Sequence, residues 1–203
     1  MTTSYEFHFD YLSPNAYLAH RMIPSLQAHT GVEFRYVPVS IMGTFKATDN
    51  KPTPVQIQGV KNKGEYIAAD MRRFCAKYGI TYHLPKPFPF DSRPFLTGTV
   101  IAEREGVAAA YIDAIFTAAY DHRRDMTDPQ VIEDVLDAGN FPKAAILAAP
   151  QDESVQAQLK ANVADAVVRG AFGSPNFFVG DEMFFGKDRL DMVEDEIARA
   201  KAG

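Results

Sequence analysis

The sequence is poor in cysteine, in basic residues and in long apolar runs. Its 203 residues include one cysteine, Cys75, so an intramolecular disulfide framework and a metal site made of several cysteines are excluded. Lysine and arginine number 21 against 26 aspartates and glutamates, a net charge of -5, whereas a nucleic-acid-binding domain is normally basic. No apolar run reaches the roughly 18 residues of a membrane-spanning helix, and no charged and apolar leader precedes the first strand-like segment. We therefore expect a cytoplasmic protein that binds neither nucleic acid nor a membrane.

The composition and the length are those of a folded globular protein. Hydrophobic residues make up 46% of the chain and charged residues 23%, as is usual for soluble domains. At roughly 100–200 residues per domain, the chain forms one large domain or one domain that carries an insertion. His8, in the first strand-like segment, is interpreted as a core histidine with satisfied hydrogen bonds. We predict no metal site, because no ligand spacing joins the histidines at positions 20, 29, 83 and 122.

The N-terminal segment has the pattern of a strand, a helix and a second strand. Residues 5–10 alternate aromatic and polar side chains and predict a strand. Ser13 is a natural N-cap and Pro14 a natural first residue for a helix that ends near Gly31. Residues 32–38 alternate again and predict a second strand. Because a strand, a helix and a strand within about 35 residues make a βαβ unit, we expect a parallel strand pair with a right-handed crossover.

The middle of the chain is helical after a long irregular segment. Residues 41–63 contain several glycines, prolines and asparagines and predict a loop that is too long for a simple connection, which indicates a functional loop. From residue 64 to about residue 170 the apolar spacing is almost entirely helical. The predicted helices span residues 65–78, 93–105, 108–122, 128–138, 142–149 and 153–169.

Strands return near the C-terminal end. Residues 176–179 and 183–185 predict two strands joined by a turn at Gly180 and Asp181, since glycine supplies a positive φ, and a last helix spans residues 188–200. The order β-α-β, then helices, then β-β-α predicts a thioredoxin-like α/β fold with a large helical insertion. The predicted thioredoxin-like domain is discontinuous and comprises residues 1–63 and 171–203, and the inserted helical domain comprises residues 64–170.

The turn at residues 13–16 (SPNA) lies where a thioredoxin-like fold carries its reactive group, at a helix N-terminus that favours negative charge. A redox enzyme places two cysteines there, whereas this turn has no thiol and cannot exchange disulfides. Ser13 can instead donate a hydrogen bond to the thiolate of a ligand. Lowering a thiol pKa of about 8.5 by about two units needs about 2.7 kcal/mol, which a charge-assisted hydrogen bond of about 1.5–3 kcal/mol and the helix dipole can supply. The alternative is that Ser13 only caps the helix.

Two further segments are candidates for the same site. Pro175 directly precedes a buried strand, which is explained if the Ser174–Pro175 bond is cis and presents the Ser174 backbone to a peptide-like ligand. The alternative is an ordinary proline at a strand edge. Asp188 is placed to cap the last helix, with Arg189 in its first turn. Asp188 either only caps that helix or also pairs with the ammonium group of a ligand.

Three segments together resemble a known family. Residues 9–14 (FDYLSP), 170–175 (GAFGSP) and 184–190 (FFGKDRL) are similar to those of 2-hydroxychromene-2-carboxylate isomerases and kappa-class glutathione transferases. These enzymes are glutathione-dependent relatives of the DsbA-type oxidoreductases. Residues 50–52 (NKP) and 61–63 (KNK) are similar to the family's loop before the next helix. The resemblance covers nearly the whole chain and implies a DsbA-type fold with glutathione as the cofactor.

The resemblance also implies a role for each matching position. Ser13, followed by Pro14, matches the serine that hydrogen-bonds the glutathione sulfur. The Ser174 backbone, before a cis Pro175, matches the segment that holds the cysteinyl unit. Many relatives have a bulky aliphatic residue in place of Ser174, so the serine leaves more room or adds a polar contact. The remaining implied contacts are Asn50, Lys63 at the glycyl end, and Asp188 with Arg189 at the γ-glutamyl end.

The activity implied first is a glutathione-dependent isomerase. It converts 2-hydroxychromene-2-carboxylate into trans-o-hydroxybenzylidenepyruvate, a step of bacterial aromatic catabolism, by reversible addition of the thiolate. A kappa-like glutathione transferase or peroxidase, which consumes glutathione, is a close alternative, and a glutathione-binding module without catalysis is another. The implied partners are glutathione, a small aromatic or electrophilic substrate and a second copy of the chain in a homodimer. Phe45, Phe88 and Phe90 either line a pocket for an aromatic co-substrate or pack the junction between the domains.

Overall fold

Four short strands form one mixed sheet at the centre of the computed structural model, which describes residues 3–202. The strands β1 to β4 have the order β2-β1-β3-β4 in the sheet. β1 is parallel to β2 and antiparallel to β3, and β3 is antiparallel to β4. This arrangement confirms the predicted thioredoxin-like fold. The strands span Tyr5–Phe9 (β1), Arg35–Pro38 (β2), Asn176–Val179 (β3) and Glu182–Phe185 (β4).

Ten α-helices of the described chain surround the sheet, and most of them are those that the apolar spacing predicts. A π-helical turn, Thr117–Asp121, follows the sixth helix, and a 3-10 turn, Ala149–Gln151, follows the eighth. No described helix is long and apolar enough to cross a membrane. The helices are α1 (Pro14–Thr30), α2 (Ile41–Thr48), α3 (Thr53–Gln56), α4 (Lys63–Tyr78), α5 (Arg93–Arg104), α6 (Ala108–Phe116), α7 (Pro129–Ala138), α8 (Lys143–Ala148), α9 (Glu153–Val168) and α10 (Leu190–Ala202).

The alternation of side chains in β1 divides the sheet into two unlike faces. Phe7 and Phe9 are fully buried in the main hydrophobic core, which they share with residues of α1, α6 and α10. Glu6 and His8 are buried on the opposite face, because successive side chains of a strand point to opposite sides. One face of the sheet is therefore apolar and the other carries ionisable groups.

The second strand is shorter than the alternation of residues 32–38 predicts. α1 ends at the predicted Gly31, which has a φ of +67°, a conformation that glycine adopts easily. The backbone N–H of Phe34 then donates to the side-chain oxygen of Gln27 at 2.9 Å. β2 begins only at Arg35, directly after this bond.

The prediction that residues 41–63 form a loop is wrong, because the segment contains α2 and α3. The Ser40 side chain accepts a hydrogen bond from the Gly43 backbone N–H at 3.2 Å and caps α2. α2 packs on α9 so closely that a Cβ on Gly43 would lie 3.4 Å from the Val163 side chain. Gly43 therefore supports helix packing here, whereas in the sequence it indicated a break.

The inserted helices are tied to the first turn of the sheet domain by tyrosine hydroxyls. Tyr11, directly after β1, is bonded through its hydroxyl to Thr99 Oγ1 on α5 at 2.8 Å. The Tyr120 hydroxyl, in the π-helical turn, donates to the Tyr11 carbonyl oxygen at 2.7 Å. The turn that precedes Ser13 is thus held by two elements of the insertion. The division into domains at residues 63 and 170 stays a prediction.

Candidate functional site

Ser13 lies between β1 and α1, and its side chain makes two hydrogen bonds. Its hydroxyl oxygen accepts from the Ala16 backbone N–H at 3.2 Å, which confirms that it caps α1. The same hydroxyl donates to the Ser174 carbonyl oxygen at 3.0 Å. Ser13 is 4% exposed. The structure therefore joins two of the segments that the sequence analysis assigned to one site, and the capping role coexists with this contact.

Asp10 fixes the backbone that leads into Ser13. Its carboxylate accepts from the backbone N–H groups of Leu12 at 2.9 Å and Ile41 at 2.7 Å, and its carbonyl accepts from the Ser13 N–H at 3.0 Å. Burial raises the pKa of Asp10, while the hydrogen bonds from Leu12, Ser92 and Ile41 act in the opposite direction. The sequence analysis gave this residue no role. An aspartate between a strand and a helix often accepts a hydrogen bond from the backbone two residues on and so stabilises a turn, and this pattern was present in the sequence.

The Ser174–Pro175 bond is cis, as predicted. The carbonyl oxygen of Pro175 accepts from the Gly186 N–H at 3.0 Å, which links this segment to the end of β4. The Ser174 hydroxyl oxygen is buried and has no hydrogen-bond partner among the described residues. The Ser174 carbonyl thus accepts a hydrogen bond from Ser13, while the Ser174 hydroxyl has no partner within the described residues.

Asn50 is close to the Ser13–Ser174 pair, whereas no hydrogen bond or ion pair of the described chain connects Lys63 to it. The Asn50 side-chain amide donates to the Phe172 carbonyl oxygen at 2.7 Å, two residues before Ser174. Lys63 is the first residue of α4 and is exposed. The implied contact of Lys63 with a tripeptide stays a prediction.

Asp188 and Arg189 follow Gly186, whose N–H donates to the Pro175 carbonyl oxygen, but the predicted cap is wrong. α10 begins at Leu190, and the Arg189 carbonyl accepts the first helical bond, from the Val193 N–H at 3.0 Å. Arg189 therefore occupies the N-cap position. The Asp188 carboxylate instead accepts from the Arg189 guanidinium at 2.8 Å. Because both side chains are about half exposed, the pair can exchange partners with a ligand that carries both charges.

Of the aromatic side chains that the sequence analysis selected, Phe45 lies near the Ser174 segment, because a Cβ on Gly173 would lie 3.9 Å from its ring. Phe90 is buried and packs edge-on against Phe95 in the core, so for this ring the packing alternative holds. Phe172 and Phe185, which flank the Ser174 segment, pack with ring centroids 4.5 Å apart and planes tilted by 43°, and remain 41% and 39% exposed. A Cβ on Gly173 would lie 2.9 Å from the Phe185 ring, so glycine is needed for this packing.

The interpretation of His8 as a core histidine is confirmed, but the expectation that all its hydrogen bonds are satisfied is wrong for one ring nitrogen. His8 Nε2 is bonded to Glu6 Oε2 at 2.8 Å, and Glu6 also accepts from Arg35 at 2.9 Å and Arg169 at 2.7 Å. His8 Nδ1 is buried without a partner in the described part of the chain. Burial acts to raise the pKa of Glu6, but the hydrogen bonds from Arg169, Arg35 and His8 outweigh it and lower the pKa to about 2.

Comparisons with known proteins agree with the fold. A family model described as a DSBA-like thioredoxin domain matches residues 6–198. A 2-hydroxychromene-2-carboxylate isomerase of Pseudomonas putida is 29% identical over 199 residues, covering 96% of this chain and 94% of that protein. Glutathione S-transferase kappa 1 of Rattus norvegicus is 22% identical over 203 residues, covering 93% and 88%. A solved structure of a 2-hydroxychromene-2-carboxylate isomerase superposes with a TM-score of 0.84 at 28% identity and covers 96% of this chain and 94% of its own.

Proposed function

The chain belongs to the DSBA-like thioredoxin domain family, and from this premise we propose that it is a glutathione-dependent enzyme. The observation that carries the proposal is the hydrogen bond between the Ser13 hydroxyl and the Ser174 carbonyl oxygen. Because of this bond, the Ser13 hydroxyl is a hydrogen-bond donor at the position where this fold carries its reactive group, and no thiol lies there. A relative that is named a glutathione transferase supports the choice of glutathione as the thiol.

The polar groups of the Ser13–Ser174 pair fit the cysteinyl unit of glutathione. The Ser174 carbonyl is an acceptor that the N–H of a bound peptide can take over. Once the carbonyl has that partner, the Ser13 hydroxyl can donate to a neighbouring sulfur. The buried Ser174 hydroxyl, which has no partner within residues 3–202, is a further group for the ligand to satisfy.

The roles of the protein's own residues follow from this fit. When bound, glutathione supplies a thiolate that adds reversibly to a conjugated carbon of the substrate and then leaves. Ser13 holds the sulfur as an anion by one charge-assisted hydrogen bond, and the N-terminus of α1 adds a favourable potential. Asp188 and Arg189 bind the charged γ-glutamyl end, and Asn50 and Lys63 bind the glycyl end. Phe172 and Phe185 offer an aromatic surface beside Ser174 for a planar substrate.

The reaction that we propose is the isomerisation of 2-hydroxychromene-2-carboxylate to trans-o-hydroxybenzylidenepyruvate, a step of aromatic catabolism. The isomerase relatives and the solved isomerase support it, because each covers nearly the whole chain. A kappa-like glutathione transferase is the second candidate and is supported by the relative of that name. The homodimer and the cytoplasmic location stay predictions.

The test of the proposed function has two parts. Titration calorimetry with glutathione measures whether the tripeptide binds, with S-methylglutathione as a ligand of the same shape that lacks an ionisable thiol. Conversion of 2-hydroxychromene-2-carboxylate is then followed with glutathione far below the substrate concentration. An isomerase completes many turnovers with the total glutathione unchanged, whereas stoichiometric loss of glutathione supports the transferase. Absence of glutathione binding would contradict both candidates.

A further inference from the structure

Three of the four carbonyl groups in residues 172–175 are held by donors that lie outside the Ser13 turn. These bonds run from the Asn50 amide to Phe172 at 2.7 Å, from the Asn176 amide to Gly173 at 2.7 Å, and from the Gly186 N–H to Pro175 at 3.0 Å. The fourth carbonyl, that of Ser174, accepts from the Ser13 hydroxyl at 3.0 Å. The backbone is therefore fixed on both sides of Ser174, which is the residue of this segment that is joined to Ser13.

The side chain of Ser174 is buried without a hydrogen bond. The residue is 7% exposed, and its hydroxyl oxygen has no partner within residues 3–202. A serine side-chain oxygen lies within about 5 Å of the carbonyl oxygen of its own residue in every rotamer. Because the Ser174 carbonyl is bonded to the Ser13 hydroxyl, the unpaired hydroxyl is close to the group that we assign to the ligand sulfur. An unpaired buried hydroxyl is costly, so it needs a physical explanation.

Strand-type pairing determines where a bound peptide places its side chain. In the proposed function, the N–H of the cysteinyl unit of glutathione takes over the Ser174 carbonyl. Residues that face each other directly across an antiparallel pair project their side chains to the same face, with Cβ atoms about 4.5–5.5 Å apart. The cysteinyl thiol and the Ser174 hydroxyl then extend side by side, and at this spacing the hydroxyl can reach the sulfur with a hydrogen bond.

We propose, resting on the proposed function, that the Ser174 hydroxyl is a second donor to the sulfur of bound glutathione. The hydroxyls of Ser13 and Ser174 each donate one hydrogen bond to the thiolate, and the proton of the thiol leaves to solvent. Because hydrogen bonds to the charged form of a group favour that form, two donors keep the thiol ionised at a lower pH than one. The hydroxyl is unpaired in the free chain because its partner arrives with the ligand.

The charged groups of the neighbouring segments already have partners within the chain. Asp10 accepts from two backbone N–H groups, Asp188 accepts from Arg189, and the Lys187 ammonium lies 4.6 Å from the centre of the Phe74 ring. No described lysine, arginine or histidine is hydrogen-bonded to Ser13 or Ser174, and the hydroxyl of Ser13 is itself bonded to the Ser174 carbonyl and to the Ala16 N–H. The Ser174 hydroxyl is therefore a neutral donor that no charged group of these segments occupies.

The second donor is tested with Ser174→Ala and Ser174→Thr in the full chain. The ultraviolet absorbance of the thiolate against pH gives the pKa of bound glutathione, which should rise by about one unit in Ser174→Ala. Ser174→Thr keeps the hydroxyl and should keep the pKa of the unaltered chain. The affinity for S-methylglutathione, which forms no thiolate, should be the same in the unaltered chain and in Ser174→Ala.

Unfolding of the ligand-free chain separates this role from a structural one. Because the Ser174 hydroxyl has no partner there, Ser174→Ala should not lower the free energy of unfolding. The control is Thr97→Val, which removes a buried hydroxyl that donates to the Arg93 carbonyl at 3.0 Å. This variant should be less stable than the unaltered chain but should leave the thiolate titration unchanged.

The possible results distinguish this inference from the proposed function. Coinciding thiolate curves for the unaltered chain and Ser174→Ala, or an equal rise of the pKa in Ser174→Ala and Ser174→Thr, would overturn this inference alone. A loss of stability in Ser174→Ala as large as that in Thr97→Val would also overturn it, because the hydroxyl would then have a partner inside the protein. Failure of glutathione to bind the unaltered chain would instead overturn the proposed function and this inference together.

Discussion

The two faces of the central sheet have the same burial but opposite chemistry. On one face Phe7, Phe9 and Phe177 are fully buried and pack against other rings, with Phe7 and Phe177 centroids 4.9 Å apart. On the other face His8 and Asn176 are 1% exposed and each leaves one polar atom unpaired within residues 3–202. Unpaired buried polar atoms are costly, so each of them needs a physical explanation. The comparison indicates that the aromatic face stabilises the fold, whereas the polar face retains hydrogen-bonding groups that the described chain does not pair.

The largest expected effect is on the aromatic face. Phe9→Ala removes a fully buried ring that packs against Phe116 and Tyr11, and should lower the free energy of unfolding by about 3–5 kcal/mol. Phe185→Ala is the matched control, because that ring is 39% exposed and its removal should cost much less. Denaturant unfolding of both variants measures the difference. Equal losses would show that the aromatic face is not the main source of stability.

The next effect is a pH dependence that belongs to the polar face. The lowered pKa of Glu6, about 2 against an ordinary 4.5, stabilises the folded chain above about pH 4.5, and this stabilisation is lost as the pH falls toward 2. The free energy of unfolding should therefore fall by about 3 kcal/mol across that interval from Glu6 alone.

The control for this pH dependence is Glu6→Gln, which cannot ionise. Denaturant unfolding at a series of pH values should show a difference between the two proteins near neutral pH that shrinks as the pH approaches 2. A difference that stays constant over the interval would mean that the bonds from Arg35 and Arg169 do not hold Glu6 ionised. The polar face would then contribute to stability by packing alone, like the aromatic face.

Ser13→Ala should affect two measurable quantities separately: the stability of the fold and the pKa of the bound thiol. Loss of the cap should cost about 0.5–2 kcal/mol of stability, while loss of the donor should raise the pKa of bound glutathione thiol by about one to two units. Ser40→Ala is the matched control, because Ser40 caps α2 with the same 3.2 Å bond and does not contact Ser174. Thiolate absorbance against pH should differ from that of the unaltered chain only for Ser13→Ala, and identical curves would remove the proposed role of Ser13.

The sequence predicts the aromatic face better than the polar one, for a physical reason. Alternation in residues 5–10 places Phe7 and Phe9 on one side of the strand, and helical spacing predicts most of the helices. Both predictions succeed because buried apolar residues recur in the sequence with the period of the strand or helix that buries them. The pattern failed at α2, where Gly43 packs tightly on α9, and at Asp188, whose ion pair with Arg189 and the start of α10 at Leu190 are not visible in spacing.

The unpaired atoms of the polar face leave no such trace. His8 is one of several histidines in the sequence, and its cross-strand neighbour Asn176 lies 168 positions away, where only the sheet brings the two together. Ser174 likewise becomes part of the site through a backbone carbonyl that Ser13 reaches across 161 positions. A site made from single atoms of distant segments needs the fold before it can be recognised, except where a family resemblance supplies the positions.

The smallest expected effect is at Asp188, whose side chain is exposed so that solvent screens its charge. Asp188→Asn removes the carboxylate that we assign to the ligand ammonium, and because exposed ion pairs are weak, the affinity for glutathione should fall by no more than about five-fold. Asp191→Asn is the matched control, an exposed acid in the first turn of α10 that should leave the affinity unchanged. Calorimetric titration of both variants at low and high salt should show a loss that is specific to Asp188 and shrinks with salt. An equal loss in both variants would mean that the acidic residues at this helix end attract the ligand's ammonium group together, and that Asp188 has no specific pairing with it.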